Sequence, residues 1–135
     1  MIDMKSVLPV QDANSKVWFD AVAEGKLLLQ RDPATGKAQM YPRARVAGAP
    51  GREPVWIEAS GKARLHTFTV VERSVHREFA SLTPFVIAIV DLAEGARMTS
   101  WIVDVPADRL KCDMALKLVF REIYAGLKMP CFTEA

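Results

Sequence analysis

Residues 85–106 read FVIAIVDLAEGARMTSWIVDVP. β-Branched and aromatic residues fill FVIAIVDL (85–92) and MTSWIVDVP (98–106), and the short segment AEGA (93–96) breaks them apart. Such residues suit a pleated, half-buried surface, so both runs read as strands. The same texture continues on either side. VWIEAS (55–60) and ARLHTFTVVER (63–73) flank Gly61-Lys62, and ALKLVFREI (115–123) and KMPCFTE (128–134) close the chain around Tyr124-Ala125-Gly126. ADRLKCDM (107–114) reads as a turn or a single helical turn. Short strands at regular spacing, punctuated by Gly and Pro, point to a small barrel or sandwich.

FVIAIV is apolar on both faces rather than alternating. A strand of a small barrel faces the core on one side only, so the outer face needs cover. The N-terminal helix is expected to supply some of it through Trp18 and Phe19, and either a partner protein or the first hairpin the rest.

The N-terminal third is organised differently. Residues 1–13 read as an irregular arm. SKVWFDAVAEG (15–25) reads as a short helix capped by Asn14 or Ser15, with Trp18, Phe19, Val22 and Ala23 loosely on one side and Gly25 as its stop. KLLLQR (26–31) and residues 37–41 form a hairpin around DPATGK (32–37). There Asp32 accepts backbone hydrogen bonds, Pro33 presets the turn, and Gly36 tolerates positive φ. PRARVAGAPGREP (42–54) is loop-like.

The chain has 135 residues, which suits one core. A formal net charge of +2 supplies no field that implies a nucleic-acid partner. The two cysteines, Cys112 and Cys131, are too far apart for a metal pattern and read as reduced, buried thiols. No signal-like or membrane-length apolar run is present, so a cytoplasmic protein is expected. The two histidines, His66 and His76, have no ligand or triad partner at a meaningful spacing, and VHREF (75–79) reads as a solvated loop. No nucleophile elbow, P-loop, dinucleotide fingerprint or zinc-protease motif occurs, and no catalytic residue is assigned. Basic residues do gather around the loop: Arg31, Lys37, Arg43, Arg45, Arg52, Lys62 and Arg64, with Tyr41 and Trp56 between them. They are read as solvated charge, or as a grip on single-stranded nucleic acid or on the phosphates of a ligand such as coenzyme A.

The order of blocks carries a resemblance. WFDAVAEGKLLLQR, then YPR, then a Gly-Pro loop ending at Trp56, precede SGKARLHTFTVVER, PFVIAIVDLAEGARMTSWIVDV and LVFREIYAGLKMPCFTEA. Over residues 16–134 this resembles the acyl-CoA-associated OB-fold family, in which a rubredoxin-like zinc ribbon precedes an OB barrel. The resemblance implies a mainly β chain: an arm over 1–13, a helix and degenerate ribbon over 14–56, and a five-stranded OB barrel over 57–135. Counting places the family's four zinc thiolates at Asp32, Thr35, Val46 and Ala49, none of them cysteine, so zinc is not expected. The first knuckle keeps turn chemistry in DPATG; the second, RVAGAPG (45–51), is expected to lack a substitute and to be looser. Asp113 stands where family members usually carry glycine.

Family members look like non-catalytic subunits of thiolase-type, aldolase or hydratase enzymes acting on acyl-CoA thioesters. The resemblance thus implies no activity of this chain alone, no tightly bound cofactor, and a coenzyme A thioester as the ligand it helps to place. Arg43, Arg45, Lys62 and Arg64 are the phosphate-binding candidates. Trp18, Phe19, Phe85 and Ile87 are the partner-interface candidates. The alternative is a stand-alone OB module for CoA thioesters or single-stranded nucleic acid.

Overall fold

The computed structural model describes residues 8–124 and 126–135; residues 1–7 of the expected arm lie outside the described residues. The arm gives way to helix before its expected end. Helix α1 spans Ala13–Ala23, and its cap is Asp12 rather than Asn14 or Ser15. The Asp12 carboxylate accepts from the N–H groups of Asn14 and Ser15 at 2.9 and 2.8 Å, and Ser15 Oγ accepts from the Asp12 N–H at 2.8 Å. This reciprocal box satisfies donors that a helix start leaves orphaned. Trp18 and Val22, one turn apart, are the residues α1 buries; Phe19 is half-buried and Ala23 is exposed.

Three strands follow: β1 (Leu28–Arg31), β2 (Ala38–Gln39) and β3 (Val55–Glu58). They form one antiparallel sheet in the order β2-β1-β3. VWIEAS therefore serves the ribbon sheet rather than the barrel, because Arg31 to Leu28 pair with Val55 to Glu58. The ribbon sheet thus runs two residues beyond the boundary expected at 56.

The barrel consists of β4 (Lys62–Val71), β5 (Phe85–Leu92), β6 (Arg97–Ile102), β7 (Ala115–Tyr124) and β8 (Leu127–Glu134). It closes in the order β4-β5-β6-β8-β7. Four contacts around the ring are antiparallel, and β6 meets β8 in parallel at Ile102 and Phe132. A closed five-stranded barrel of this kind is the OB fold. Closure needs a close backbone approach at Gly61. Its carbonyl accepts from the Leu118 N–H at 2.8 Å, its φ is +88°, and an added Cβ would lie 3.2 Å from the Leu118 Cβ. Asp113, at φ 69°, takes the conformation for which glycine is the usual choice, and its N–H donates to the Leu65 carbonyl.

Every second residue of β5 points inward: Val86, Ala88, Val90 and Leu92 are buried, and Phe85, Ile87 and Ile89 stay half-exposed outside. The core cluster joins these to Leu65, Leu116 and Phe132 in the barrel and to Trp18, Val22 and Leu29 beneath the helix, so barrel and ribbon share one core. The helix does not cover β5. It packs on β8 and β1, and β8 is accordingly buried on both faces at Cys131 and Phe132. Some cover for β5 comes from a short 3-10 helix, Arg77–Leu82, whose Phe79 ring lies 6.3 Å from Phe85 and 6.2 Å from Trp101. VHREF is thus not wholly a solvated loop. No helix among the described residues is long and apolar enough to cross a membrane.

Candidate functional site

Helix α1, residues 40–42 of the ribbon, and the facing strands β6 and β8 enclose a groove of about 460 Å³. It exists because β6 and β8 diverge: among the described residues their pairing is confined to Ile102 and Phe132. Across the gap, Ser100 Oγ donates to the Pro130 carbonyl at 3.0 Å. On the ribbon side, Tyr41 Oη accepts the Thr99 N–H at 2.9 Å. Trp18 and Phe19 form one wall, edge to face at 4.9 Å. Met40, Met98 and Met129 supply deformable thioether surface. No residue lining the groove carries a formal charge. Trp18 Nε1–H is itself buried without a hydrogen-bond partner in the protein. Burial pushes the Cys131 thiol up to about 11, which makes this groove residue a poor nucleophile.

Trp101 connects the groove to the outer barrel face. It lines the groove, stacks on Phe85 at 4.2 Å and 11°, and lies opposite Ile87 in the β5–β6 register. The four interface candidates therefore fall into two pairs, Trp18 with Phe19 and Phe85 with Ile87, bridged by a residue that sequence reasoning passed over. Its signal was present in MTSWIV: Trp101 alternates with Ser100 and Ile102, both buried, so it had to face outward.

The basic candidates are not gathered. Lys62 and Arg64 line a cavity of about 460 Å³ at the barrel end, with Asp91 opposite. Arg64 is engaged, donating to the Asp113 carbonyl at 2.7 Å. Arg45 pairs with Glu53 at 3.1 Å. Arg43 is fixed through its backbone, since buried Gln30 accepts its N–H and donates to its carbonyl, both at 2.8 Å. Of the two histidines, His66 sits 3.4 Å from Asp91, and Arg97 holds that same carboxylate at 2.5 Å and keeps it below the usual carboxylate range. Cys112, contrary to expectation, is exposed, because the turn that carries it lies outside the barrel wall.

The four zinc-thiolate positions do converge. Asp32, Thr35, Val46 and Ala49 line one cavity of about 200 Å³ together with Arg52. Arg52 binds the Asp32 carboxylate with two parallel hydrogen bonds, Nε at 3.0 Å and a terminal nitrogen at 2.6 Å. Asp32 also accepts from the Ala34 N–H and the Thr35 hydroxyl. One carboxylate, one hydroxyl and two aliphatic side chains beside a guanidinium do not fit zinc, which takes four soft or borderline donors. The second knuckle is not left without support. Arg52 N–H donates to Ala49, Ala49 N–H to Val46, and Val46 N–H to Arg52, all at 3.0 Å, and Gln39 accepts the Ala47 N–H at 2.8 Å. The expectation that RVAGAPG has no substitute for the lost thiolates is thereby corrected: Arg52 ties that loop to Asp32 across the cavity.

Arg52 holds the Asp32 carboxyl far below its ordinary value of 3.8. A carboxylate depressed in the folded state stabilises it above the unfolded value, and that contribution fades as pH falls toward the folded value. Asp32→Asn is therefore expected to melt earlier than the natural chain at neutral pH. The gap should narrow below about pH 4. Melting curves across that range check this; a gap independent of pH contradicts it.

Against this geometry, family models give a consistent answer. The model of the ChsH2 rubredoxin-like zinc ribbon domain matches residues 19–49, and that of the ChsH2 C-terminal OB-fold domain matches residues 56–121. The chain belongs to this family of zinc-ribbon and OB-fold proteins. Within it, a DUF35 domain-containing scaffold protein of Methanothermobacter thermautotrophicus is 40% identical over 67 residues, covering 50% of this chain and 50% of that protein. A probable enoyl-CoA hydratase alpha subunit of Thermomonospora curvata is 25% identical over 127 residues, covering 94% of this chain and 39% of that protein. The chain thus spans half or less of the length of these curated relatives. The solved structure of an Ltp2-ChsH2(DUF35) aldolase contains a chain that matches with a TM-score of 0.83 at 24% identity, covering 94% of this chain and 98% of that one. At that identity the likeness speaks for the fold.

Proposed function

We propose that this chain is a non-catalytic accessory subunit of an enzyme acting on acyl-CoA thioesters, of the thiolase, aldolase or hydratase type. It helps that enzyme assemble and place its coenzyme A ester in the cytoplasm. It carries no zinc and no tightly bound cofactor of its own. The observation that carries this reading is the run of half-buried apolar side chains from Phe85 and Ile87 through Trp101 to the uncharged groove beside Trp18 and Phe19. Aromatic anchors of this kind concentrate binding energy at protein interfaces. The relatives' names support the same reading, one being a scaffold protein and another a subunit of a probable hydratase.

Affinity capture of the full chain from its native host tests the proposal. An acyl-CoA enzyme at near-equal stoichiometry is the expected product. Ile87→Glu alters an outward-facing residue of β5 and leaves the core intact. It is expected to weaken capture by about tenfold or more, as loss of an anchor contact does, while melting stays within a few degrees of the natural chain. Recovery of no acyl-CoA enzyme, or capture indifferent to Ile87→Glu, speaks against it.

A further inference from the structure

We infer that residues 72–84 form a strap that closes through Phe79 over the stacked Phe85–Trp101 pair and opens when an apolar side chain of a partner protein takes the place of Phe79. Both ends of the segment are pinned side by side, because Val71 and Phe85, which bound it, pair across β4 and β5. The strap can therefore swing without breaking a rung of that ladder. Long connections without strand structure of their own are commonly lids or binding loops.

The latch is looser than the pair it covers. Phe85 and Trp101 stack at 4.2 Å and 11°. Phe79 leans on them with its ring 6.3 Å from Phe85 and 6.2 Å from Trp101, tilted by 55° and 60°. Those distances lie toward the outer end of the range over which aromatic rings attract. The 3-10 turn that carries Phe79 buries no residue, and Val75 ahead of it is fully exposed. Segments with little buried apolar surface open at lower cost than the strands beneath them. The strap is nonetheless coherent within itself. Ser74 Oγ donates to the His76 carbonyl at 3.0 Å and accepts the His76 N–H at 3.1 Å. That carbonyl also accepts the Phe79 N–H at 3.1 Å, and the Thr83 hydroxyl donates to the Ala80 carbonyl at 2.8 Å. His76 Nδ1 lies 2.5 Å from the Glu78 carboxylate, and its ring stands edge-on to Phe79 at 5.6 Å. The segment thus moves as one piece, with the Phe79 ring as its latch. Closed, it shields part of an apolar face that would otherwise invite unspecific association. That the displacing side chain belongs to an acyl-CoA enzyme rests on the accessory-subunit reading; the strap and its latch stand on this chain alone.

The test uses the full chain labelled with 5-fluorotryptophan, the Trp101 resonance being assigned with Trp101→Phe. A soluble gadolinium chelate should relax the Trp101 fluorine at least about threefold faster in Phe79→Ala than in the natural chain, with Trp56 unchanged. In the natural chain the Trp101 resonance should show microsecond-to-millisecond exchange toward its position in Phe79→Ala. Phe79→Ala should melt within a few degrees of the natural chain, since the strap lies outside the core. Equal relaxation at Trp101, absence of exchange, or a melting loss like that of a core truncation would each overturn the strap. Toward the captured acyl-CoA enzyme, Phe79→Ala should bind at least about threefold more tightly, opposite in sign to Ile87→Glu, because the closed population no longer competes. Weaker or unchanged binding would overturn the displacement. Recovery of no acyl-CoA enzyme counts against the accessory-subunit reading instead, because the fluorine measurements need no partner.

Discussion

Placing cysteine at Asp32, Thr35, Val46 and Ala49 together is expected to yield a chain that retains one zinc ion through gel filtration, while the natural chain retains none. The four positions already surround a single small cavity. The first pair sits on a hairpin whose closing bonds, Asp32 N–H to Lys37 and Gly36 N–H to Asp32, are made by backbone and survive the change. The second pair is bridged by its own backbone contact between Val46 and Ala49. Arg52 would no longer face a carboxylate, but four thiolates around zinc carry net negative charge and keep a reason for a cation there. Structural zinc in small domains binds with an apparent free energy of order 10 kcal/mol at neutral pH. The variant should therefore gain thermal stability with zinc and lose it with a chelator, and the natural chain should respond to neither. Elemental analysis decides: zinc in the natural chain, or none in the variant, refutes the account of how this ribbon holds its shape.

The second large effect is at Phe132. It is fully buried and lies where β8 meets both neighbours: it pairs with Leu118 on β7 and with Ile102 on β6, and its carbonyl accepts the Val103 N–H at 2.9 Å. Phe132→Ala removes a ring from the place where, among the described residues, the backbones of β6 and β8 pair. Truncations of this type cost about 3–5 kcal/mol. For a chain this size that lowers the melting temperature by roughly 10–20 °C. Phe132→Leu, which refills most of the volume, should lose well under half as much. Calorimetry on both variants checks this, and a loss below about 1 kcal/mol for the alanine variant would show that the junction is not where stability resides.

Much of this fold was legible because local rules agreed with the global arrangement. The barrel strands announced themselves through β-branched runs separated by Gly and Asp turns. Asp32, Pro33 and Gly36 specified the hairpin by turn chemistry alone. Asp113 marked a turn that takes a glycine-like conformation with an aspartate in it. What escaped the sequence was mostly partnership at a distance. Arg52 and Asp32 are twenty residues apart, and nothing in RVAGAPGREP says that its arginine turns back to the first knuckle. Asp12 was passed over as a cap because Asn14 and Ser15 offered the same chemistry closer to the apolar stripe. The helix was assigned to the wrong strand because apolar excess on β5 is visible in one dimension, whereas the double burial of β8 depends on where the gap in the barrel falls. The groove belongs to the same class: its walls come from five separate stretches of chain, and only Trp18 and Phe19 among its residues were interface candidates.

The Tyr41–Thr99 hydrogen bond has a consequence for the life of the chain in a crowded solution. Where β6 parts from β8, its backbone donors and acceptors would otherwise present a ready template for another extended chain, and such templates seed self-association. By seating its phenol there, Tyr41 of the ribbon occupies one of those donors, the Thr99 N–H, and leaves one fewer open to an added strand.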